Sequence, residues 1–242
     1  MRILITNDDG VMSPVIPRVI EWAKKLGEVI TVAPSEEQSG KSHSIDLKRK
    51  LQLLPVDLGT GTEVYSLDST PADCVRVAGL GMGKKFDLVI SGINRGYNLG
   101  SDVVYSGTVG AIFEASRQGI NALALSTVSK TFDPAVAELD NVWSFISENK
   151  LFETNGLYNV NIPAENKGIL VTRHGGVFYG EEFVKQEDGR YKRVPYLAEQ
   201  DTADLTTDSG AVLSGYISIT PLSGSRNEEK AYEALSSLNK CR

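Results

Sequence analysis

Two adjacent carboxylates stand near the start of the chain. Asp8 and Asp9 follow a short apolar run, residues 3–6, and precede Gly10. Two acids this close repel each other unless a cation or hydrogen-bond donors compensate their charge. The pair therefore predicts either a cation site at the end of a strand or a simpler arrangement, in which Asp8 caps the next helix and Asp9 lies in a solvated turn.

Oxygen donors recur after two further strand patterns. Ser39 lies in a Ser-rich loop, and Asn94 and Asn98 lie in a Gly-rich loop. Ligands of open parallel sheets bind beyond the carboxyl ends of the strands, so we expect these groups to converge with Asp8 and Asp9. Carboxylates, a hydroxyl and an amide carbonyl suit hard cations such as Mg²⁺, Mn²⁺ or Ca²⁺ and disfavour zinc.

A run rich in Ser, Thr and Gly leads directly into a predicted helix. Ser106, Gly107 and Thr108 stand at its start. Free backbone N–H groups and the helix dipole favour a phosphate there. The same residues also make an ordinary N-cap, which is the commoner use of such a run. Neither a Walker motif nor a dinucleotide fingerprint is present, because the Gly-Lys-Ser/Thr ending is missing and the run does not follow the first strand.

The other reactive side chains lack a recognisable motif. His43 lies in the Ser-rich loop, where it could touch a substrate, and His174 lies near a strand end. No Gly-x-Ser-x-Gly elbow occurs in the sequence, so a serine-hydrolase triad is not predicted. Cys74 falls in an apolar helical pattern, which predicts a buried thiol rather than a reactive one.

Strand and helix patterns alternate through the first 150 residues. Such alternation is typical of a Rossmann-like, doubly wound α/β fold, with a mostly parallel sheet and helices on both faces. The predicted strands are 3–6, 29–33, 51–54, 64–67, 86–91 and 122–126, the predicted helices are 14–26, 71–80, 108–118 and 134–149, and the stretches 34–45 and 92–107 are predicted loops.

Strand patterns dominate beyond about residue 150. They cover residues 157–162, 168–172, 178–184, 191–194 and 215–220, with a hairpin signal at Asp188–Gly189 and a helix at 227–238. The sequence therefore predicts a core at residues 1–150 that contains the metal and phosphate site. It also predicts that residues 151–242 form a β-rich extension with hairpins and a C-terminal helix.

Length and composition exclude several classes of protein. The chain has 242 residues, 41% of them apolar, and a formal net charge of −6, so we expect a folded domain without the broad basic face that binds duplex nucleic acid. No run approaches the ~20 apolar residues of a transmembrane helix, and the start lacks the apolar region of a signal peptide. Two cysteines make no disulfide framework, so the cytoplasm is the predicted location.

Six blocks, in order, resemble the SurE (survival protein E) family. They are ILITNDDG at 3–10, AP at 33–34 with QSG at 38–40, TPADCV at 70–75, SGINRG at 91–96 with YSGTV at 105–109, NVNIP at 159–163, and TD at 207–208 with GYISITPL at 215–222. The resemblance covers nearly the whole chain. It departs at Ser69, where the family usually has glycine, and at Asp46, where threonine is common; neither is among the ligands discussed above.

The resemblance implies a metal-dependent nucleotidase with broad base tolerance. It would remove phosphate from nucleoside 5′- or 3′-monophosphates, with a side activity on short polyphosphate. The implied ligands of one Mg²⁺ or Mn²⁺ per subunit are Asp8, Asp9, Ser39 and Asn94, and the implied phosphate contacts are Asn98, Ser106, Gly107 and Thr108. The family resemblance also implies a homodimer or homotetramer built through the β-rich C-terminal region.

A cation in this position would polarise a phosphoryl oxygen and activate a bound water, with Asp8 orienting or deprotonating that water. Three alternatives stay open. A covalent aspartyl-phosphate route is typical of haloacid-dehalogenase-like phosphatases, which use an Asp-x-Asp spacing rather than adjacent acids. A receiver-type regulatory module would also bind Mg²⁺ and would need Asp57 as its phosphoacceptor. The third alternative is a protein that binds nucleotides without turnover.

Overall fold

The computed structural model describes residues 1–198, 202–225 and 227–236. Its strands are β1 (Arg2–Thr6), β2 (Glu28–Pro34), β3 (Leu53–Pro55), β4 (Glu63–Leu67), β5 (Leu88–Arg95), β6 (Asn121–Thr127), β7 (Leu157–Ile162), β8 (Ile169–Val171), β9 (Tyr179–Lys185), β10 (Tyr191–Leu197) and β11 (Ile217–Pro221). Its helices are α1 (Val15–Ala23), α2 (Pro71–Arg76), α3 (Gly107–Arg117), α4 (Asp133–Glu148), α5 (Leu151–Thr154), α6 (Asp208–Leu213) and α7 (Glu229–Ser236). A π-helical turn (Val77–Gly81) follows α2, and a 3₁₀ helix (Gly100–Tyr105) precedes α3.

The main sheet has the strand order β3-β4-β2-β1-β5-β6-β7-β11-β8. Within this order, the neighbouring strands of the stretch β4-β2-β1-β5-β6-β7 all pair in parallel. In contrast, β3 pairs antiparallel with β4, and β11 pairs antiparallel with β7. The chain builds outward from β1 through β2 to β4 and then returns to place β5 on the other side of β1. This reversal creates a crevice beyond the carboxyl ends of β1 and β5, which is where open α/β sheets bind ligands.

Helices cover both faces of this sheet, as the fold prediction required. Alternate side chains of β1 enter different cores: Ile3 and Ile5 pack with α1 and α4, whereas Leu4 packs with α2 and α3. Central parallel strands are apolar on both sides for this reason, and the run at residues 3–6 shows that pattern. The doubly wound, mostly parallel fold predicted from the sequence is confirmed.

The strands beyond residue 150 divide between two sheets. β7, β11 and β8 extend the main sheet across the predicted boundary at residue 150, while β9 and β10 form a separate antiparallel hairpin. The helix predicted at 227–238 is represented by α7, and its last two residues lie outside the described part of the chain. None of the helices in the described ranges combines the length and apolar character needed to cross a membrane.

Candidate active site

The turn after β1 directs the first carboxylate toward α3. Asp8 is 4% exposed, and its Oδ1 accepts a hydrogen bond of 2.7 Å from the hydroxyl of Thr108. The first helix, α1, has no side-chain cap, so Asp8 does not serve as its N-cap. The capping role that the sequence left open for Asp8 is therefore wrong, and the carboxylate is held against α3 instead.

The surroundings of both carboxylates raise their pKa. Burial raises the pKa of Asp8, and the Thr108 hydroxyl opposes that rise only in part. Burial, and then the negative charge of Asp8, raise the pKa of Asp9 to about 6, while Arg95 acts in the opposite direction. Asp9 Oδ2 is buried with no hydrogen-bond partner among the described residues. A bound cation would supply the positive charge and the missing partner.

The Ser-rich loop is fastened at several points around the pocket. The backbone N–H of Gln38 donates to the carbonyl oxygen of Asp8 at 2.7 Å, and the N–H of Ser42 donates to the carbonyl of Tyr105 at 3.0 Å. These bonds place Ser39 beside the end of β1. The Ser39 hydroxyl donates to Glu37 Oε1 at 2.7 Å, which leaves its oxygen lone pairs available as a ligand.

A bulge in β5 sets the position of Asn94. Pairing with β6 shifts register between Gly92 and Asn94, and the strand then continues to Arg95. Gly92 has φ +128°, and a Cβ there would lie 2.3 Å from the carbonyl oxygen of Leu125, so only glycine fits. The prediction of a loop starting at residue 92 is therefore wrong. The Asn94 amide donates to the carbonyl of Gly96 at 2.8 Å, which leaves its own carbonyl oxygen for a ligand.

Asn98 is held by side chains from β6 and β7. Its backbone N–H donates to Asn161 Oδ1 at 2.9 Å, and its carbonyl oxygen accepts from Asn159 at 2.7 Å and from Asn161 at 2.9 Å. Its own side-chain amide donates to the Ser126 hydroxyl at 2.8 Å. These three supporting residues were not among the predicted site residues. Both asparagines belong to the NVNIP block, and their i, i+2 spacing within one strand places them on one face.

The start of α3 approaches Asp8 closely. Ser106 is its N-cap, with Oγ accepting from the backbone N–H of Val109 at 3.1 Å. A Cβ on Gly107 would lie 3.2 Å from Asp8 Cβ and 3.3 Å from the carbonyl oxygen of Gln38, so a larger residue would crowd the carboxylate. Thr108 is fully buried, and its hydroxyl faces Asp8.

Several of these groups border one cavity of about 470 Å³ at the carboxyl ends of the strands. The predicted residues that line it are Asp8, Ser39, Asn94, Asn98 and Ser106. Asp9, Gly107 and Thr108 are not part of its lining. Arg95, a cation in the SGINRG block, and four residues of the β9–β10 hairpin, Tyr179, Glu181, Phe183 and Arg193, also line the cavity and were missed from the sequence.

Other candidates lie away from this cavity. His43 Nε2 is 3.0 Å from Glu114 Oε2, and His174 Nδ1 is 3.2 Å from Asp208 Oδ2, so each histidine is paired with a buried carboxylate. Asp57 lies in a turn after the edge strand β3, with β4 and β2 between that strand and β1. A receiver-type arrangement of Asp57 beside Asp8 is therefore absent from the described structure.

Among the described residues, no metal centre is built from acids, His and Cys alone, because no three of these side chains cluster as ligands. A cation at the end of β1 would therefore need hydroxyl or amide oxygens beside the two carboxylates. Ser39 and Asn94 provide oxygens of these two types.

Comparison with known proteins identifies the family. A family model described as Survival protein SurE matches residues 3–181. The chain belongs to the SurE family. This confirms the resemblance carried by the six sequence blocks.

Curated SurE relatives match along almost their entire length. A protein named 5′-nucleotidase SurE from Natranaerobius thermophilus is 38% identical over 98% of this chain and 98% of its own length. Another with the same name from Legionella pneumophila is 37% identical over 98% of this chain and 97% of its own. The crystal structure of a SurE protein from Aquifex aeolicus aligns with a TM-score of 0.77 at 35% identity, covering 98% of this chain and 99% of that one. The structural match thus includes both the segment predicted as the core, residues 1–150, and most of the segment predicted as the extension, residues 151–242.

Proposed function

We propose that this chain is a 5′-nucleotidase that depends on a divalent cation and hydrolyses nucleoside monophosphates. Membership of the SurE family and the name shared by its relatives support the reaction class. The observation that supports the chemistry best is the convergence of Asp8, Ser39, Asn94 and Asn98 on one cavity at the end of β1. They come from three segments that are far apart in the sequence.

Asp8, Asp9, Ser39 and Asn94 would hold the cation. Their oxygen donors suit Mg²⁺ or Mn²⁺, and the unpartnered Asp9 Oδ2 fits such a ligand. When bound, the cation would polarise a phosphoryl oxygen and lower the pKa of a coordinated water.

The chain's own residues position the reactants. The Thr108 hydroxyl donates to one oxygen of Asp8 and thereby holds the carboxylate in one orientation. In this orientation the carboxylate orients and deprotonates the attacking water. Asn98, Ser106 and the N-terminal N–H groups of α3 bind the phosphate oxygens. Arg95 adds positive charge at the same cavity. Phosphoryl transfer depends mainly on this kind of charge neutralisation and alignment.

The substrate range and the assembly extend this proposal. Activity on 3′-monophosphates and on short polyphosphate follows from a site that binds chiefly phosphate. We expect a homodimer or homotetramer, in which another subunit covers the hairpin face that holds the exposed Val184 and Tyr196. We place the protein in the cytoplasm, where the buried thiol of Cys74 would stay reduced.

A panel of phosphomonoesters tests the proposal. We expect phosphate release from 5′- and 3′-nucleoside monophosphates when Mg²⁺ or Mn²⁺ is added. Asp8→Asn should lower kcat by at least about 100-fold, since a positioned general base contributes on that order, while the circular dichroism spectrum stays unchanged. Asp57→Asn, at an exposed turn far from the cavity, is the matched control and should retain full activity. Normal turnover by Asp8→Asn would refute the assignment, and tight nucleotide binding without phosphate release would favour a non-catalytic protein.

A further inference from the structure

The β9–β10 hairpin presents one of its faces to the cavity. Side chains alternate along a strand, so Tyr179, Glu181 and Phe183 point to the same face. Cross-strand pairing places Arg193 opposite Phe183. All four side chains line the cavity that also contains Asp8, and none of them belongs to the metal or phosphate set.

The root of the hairpin is bonded to the loop that positions the phosphate contacts. Asp102 Oδ2 accepts from the backbone N–H of Phe178 at 3.0 Å and of Tyr179 at 2.6 Å. Asp102 belongs to the 3₁₀ helix between Asn98 and Ser106. The hairpin is therefore anchored relative to the phosphate end of the cavity.

A second carboxylate strengthens the same anchor. Asp208 is fully buried, and its two oxygens accept from the backbone N–H groups of Gly100, Gly175 and Ser209, each at 2.8 Å. Gly100 opens the 3₁₀ helix, and Gly175 lies in the segment that leads to β9. Both carboxylates join the same two stretches of chain.

The aromatic residues on this face are open to solvent. Phe183 is 61% exposed and Tyr179 is 40% exposed, although both border a cavity with polar groups at its other end. Exposed rings beside a ligand cavity gain free energy when a flat apolar group covers them. The charged members of the face, Glu181 and Arg193, pair with each other. The face therefore offers aromatic ring surfaces to a ligand, while its two charged side chains already pair with each other.

We propose that this face, defined by Tyr179, Glu181, Phe183 and Arg193, is the wall that binds the nucleoside part of the substrate, with the base stacked on Phe183 and Tyr179. This inference rests on the proposed function, which places the phosphate at the Asp8 end of the cavity. Every base has a π-face, so stacking tolerates all of them, and the wall selects aromatic phosphomonoesters over non-aromatic ones.

Paired substrates isolate the contribution of the base. Adenosine 5′-monophosphate and ribose 5-phosphate share the phosphate and sugar, and only the first has a base. We expect Phe183→Ala to lower kcat/KM for adenosine 5′-monophosphate by about 10-fold, mainly through KM, the size that loss of one base–aromatic stack produces. The value for ribose 5-phosphate should not change. Phe183→Trp should retain the selectivity, and Leu54→Ala, at an exposed position on the edge strand β3, should behave as the wild type.

Equilibrium binding separates this inference from the proposed function. Calorimetric titration of adenosine 5′-monophosphate into Asp8→Asn, with and without Phe183→Ala, measures how much the wall contributes to nucleotide binding in the absence of turnover. Weaker binding by the double variant supports the wall even if the wild type proves inactive. Equal binding would overturn it, as would equal losses on both phosphomonoesters. A changed molar mass of Phe183→Ala by light scattering, with selectivity unaltered, would overturn it too and assign the face to a subunit contact.

Discussion

At the scale of single residues, the site depends on how Asp8 is held. The Thr108 hydroxyl is the side-chain donor on this carboxylate, and Gly107 leaves room for it to approach α3. A buried carboxylate that loses such a donor gains freedom to rotate and loses a stabilising hydrogen bond. Thr108 is thus a positioning residue, distinct from the groups that line the cavity.

Replacing Thr108 by valine tests this role. Thr108→Val keeps the side-chain volume close to that of threonine but removes the hydroxyl, so kcat for adenosine 5′-monophosphate should fall about 10-fold, the effect of about 1.4 kcal/mol. Thr108→Ser, which restores the donor, should recover most of the activity. Steady-state kinetics on the two variants decide the matter, and an unchanged kcat for Thr108→Val would contradict a positioning role.

Crowding Asp8 gives a second prediction at this scale. Gly107→Ala introduces a Cβ 3.2 Å from Asp8 Cβ, which is tighter than most packing contacts, so the Asp8 side chain has to shift. We expect a large fall in kcat with little change in the melting temperature, since the rest of α3 is undisturbed. Ser116→Ala on the same helix is the control variant. Gly119→Ala would not serve as one, because Gly119 has a positive φ that alanine rarely adopts. Wild-type rates in Gly107→Ala would show that the close approach is unimportant.

At the scale of elements, β7 supports the loop between β5 and α3. Asn159 and Asn161 together satisfy the backbone of Asn98. Removing these donors leaves the carbonyl of Asn98 short of partners, at a cost of about 1–3 kcal/mol for a buried group. The strand therefore supports Asn98, a proposed phosphate contact, although none of its residues lines the cavity.

Alanine variants of β7 and its approach separate support from stability. Asn161→Ala should lower the free energy of unfolding by about 2 kcal/mol and raise KM for adenosine 5′-monophosphate several-fold. Asn155→Ala removes hydrogen bonds to the carbonyls of Leu157 and Leu222 at the end of β7 away from the cavity. It should therefore lower the free energy of unfolding without changing KM. Chemical denaturation combined with kinetics makes the comparison. Identical kinetic effects in both variants would mean that KM merely follows stability.

Sequence patterns predicted the elements better than their exact extents. Buried apolar runs correctly predicted β1 and the parallel core, and the motif blocks identified Asp8, Ser39 and Asn94 as candidates for one site. The continuation of β5 through Gly92 escaped prediction, because a glycine-rich stretch is equally typical of a loop. The position of the hairpin escaped it too, since that position depends on contacts from Asp102 and Asp208 to distant backbone N–H groups. Such pairings between a side chain and a remote backbone leave no periodic signal.

At the scale of the whole molecule, Asp208 connects the cavity loop, the segment before β9 and α6. Its carboxylate satisfies three backbone N–H groups and lies 3.2 Å from His174. Asp208→Ala would leave those donors unsatisfied, so we expect a loss of about 3 kcal/mol in the free energy of unfolding. Glu21→Ala, which removes an exposed ion pair with Lys24, should cost less than about 0.5 kcal/mol. Equal denaturation midpoints for the two variants would contradict this role.

The most direct test of the account is phosphate release from adenosine 5′-monophosphate as a function of free divalent cation. We predict that excess EDTA abolishes release in the wild type and that Mn²⁺ or Mg²⁺ restores it. Asp9→Asn should need at least about 10-fold more cation for half-maximal activity, because it loses one charged ligand. Full activity in excess chelator, or the same cation requirement in Asp9→Asn, would contradict the central claim that these residues form a cation-dependent phosphomonoesterase site.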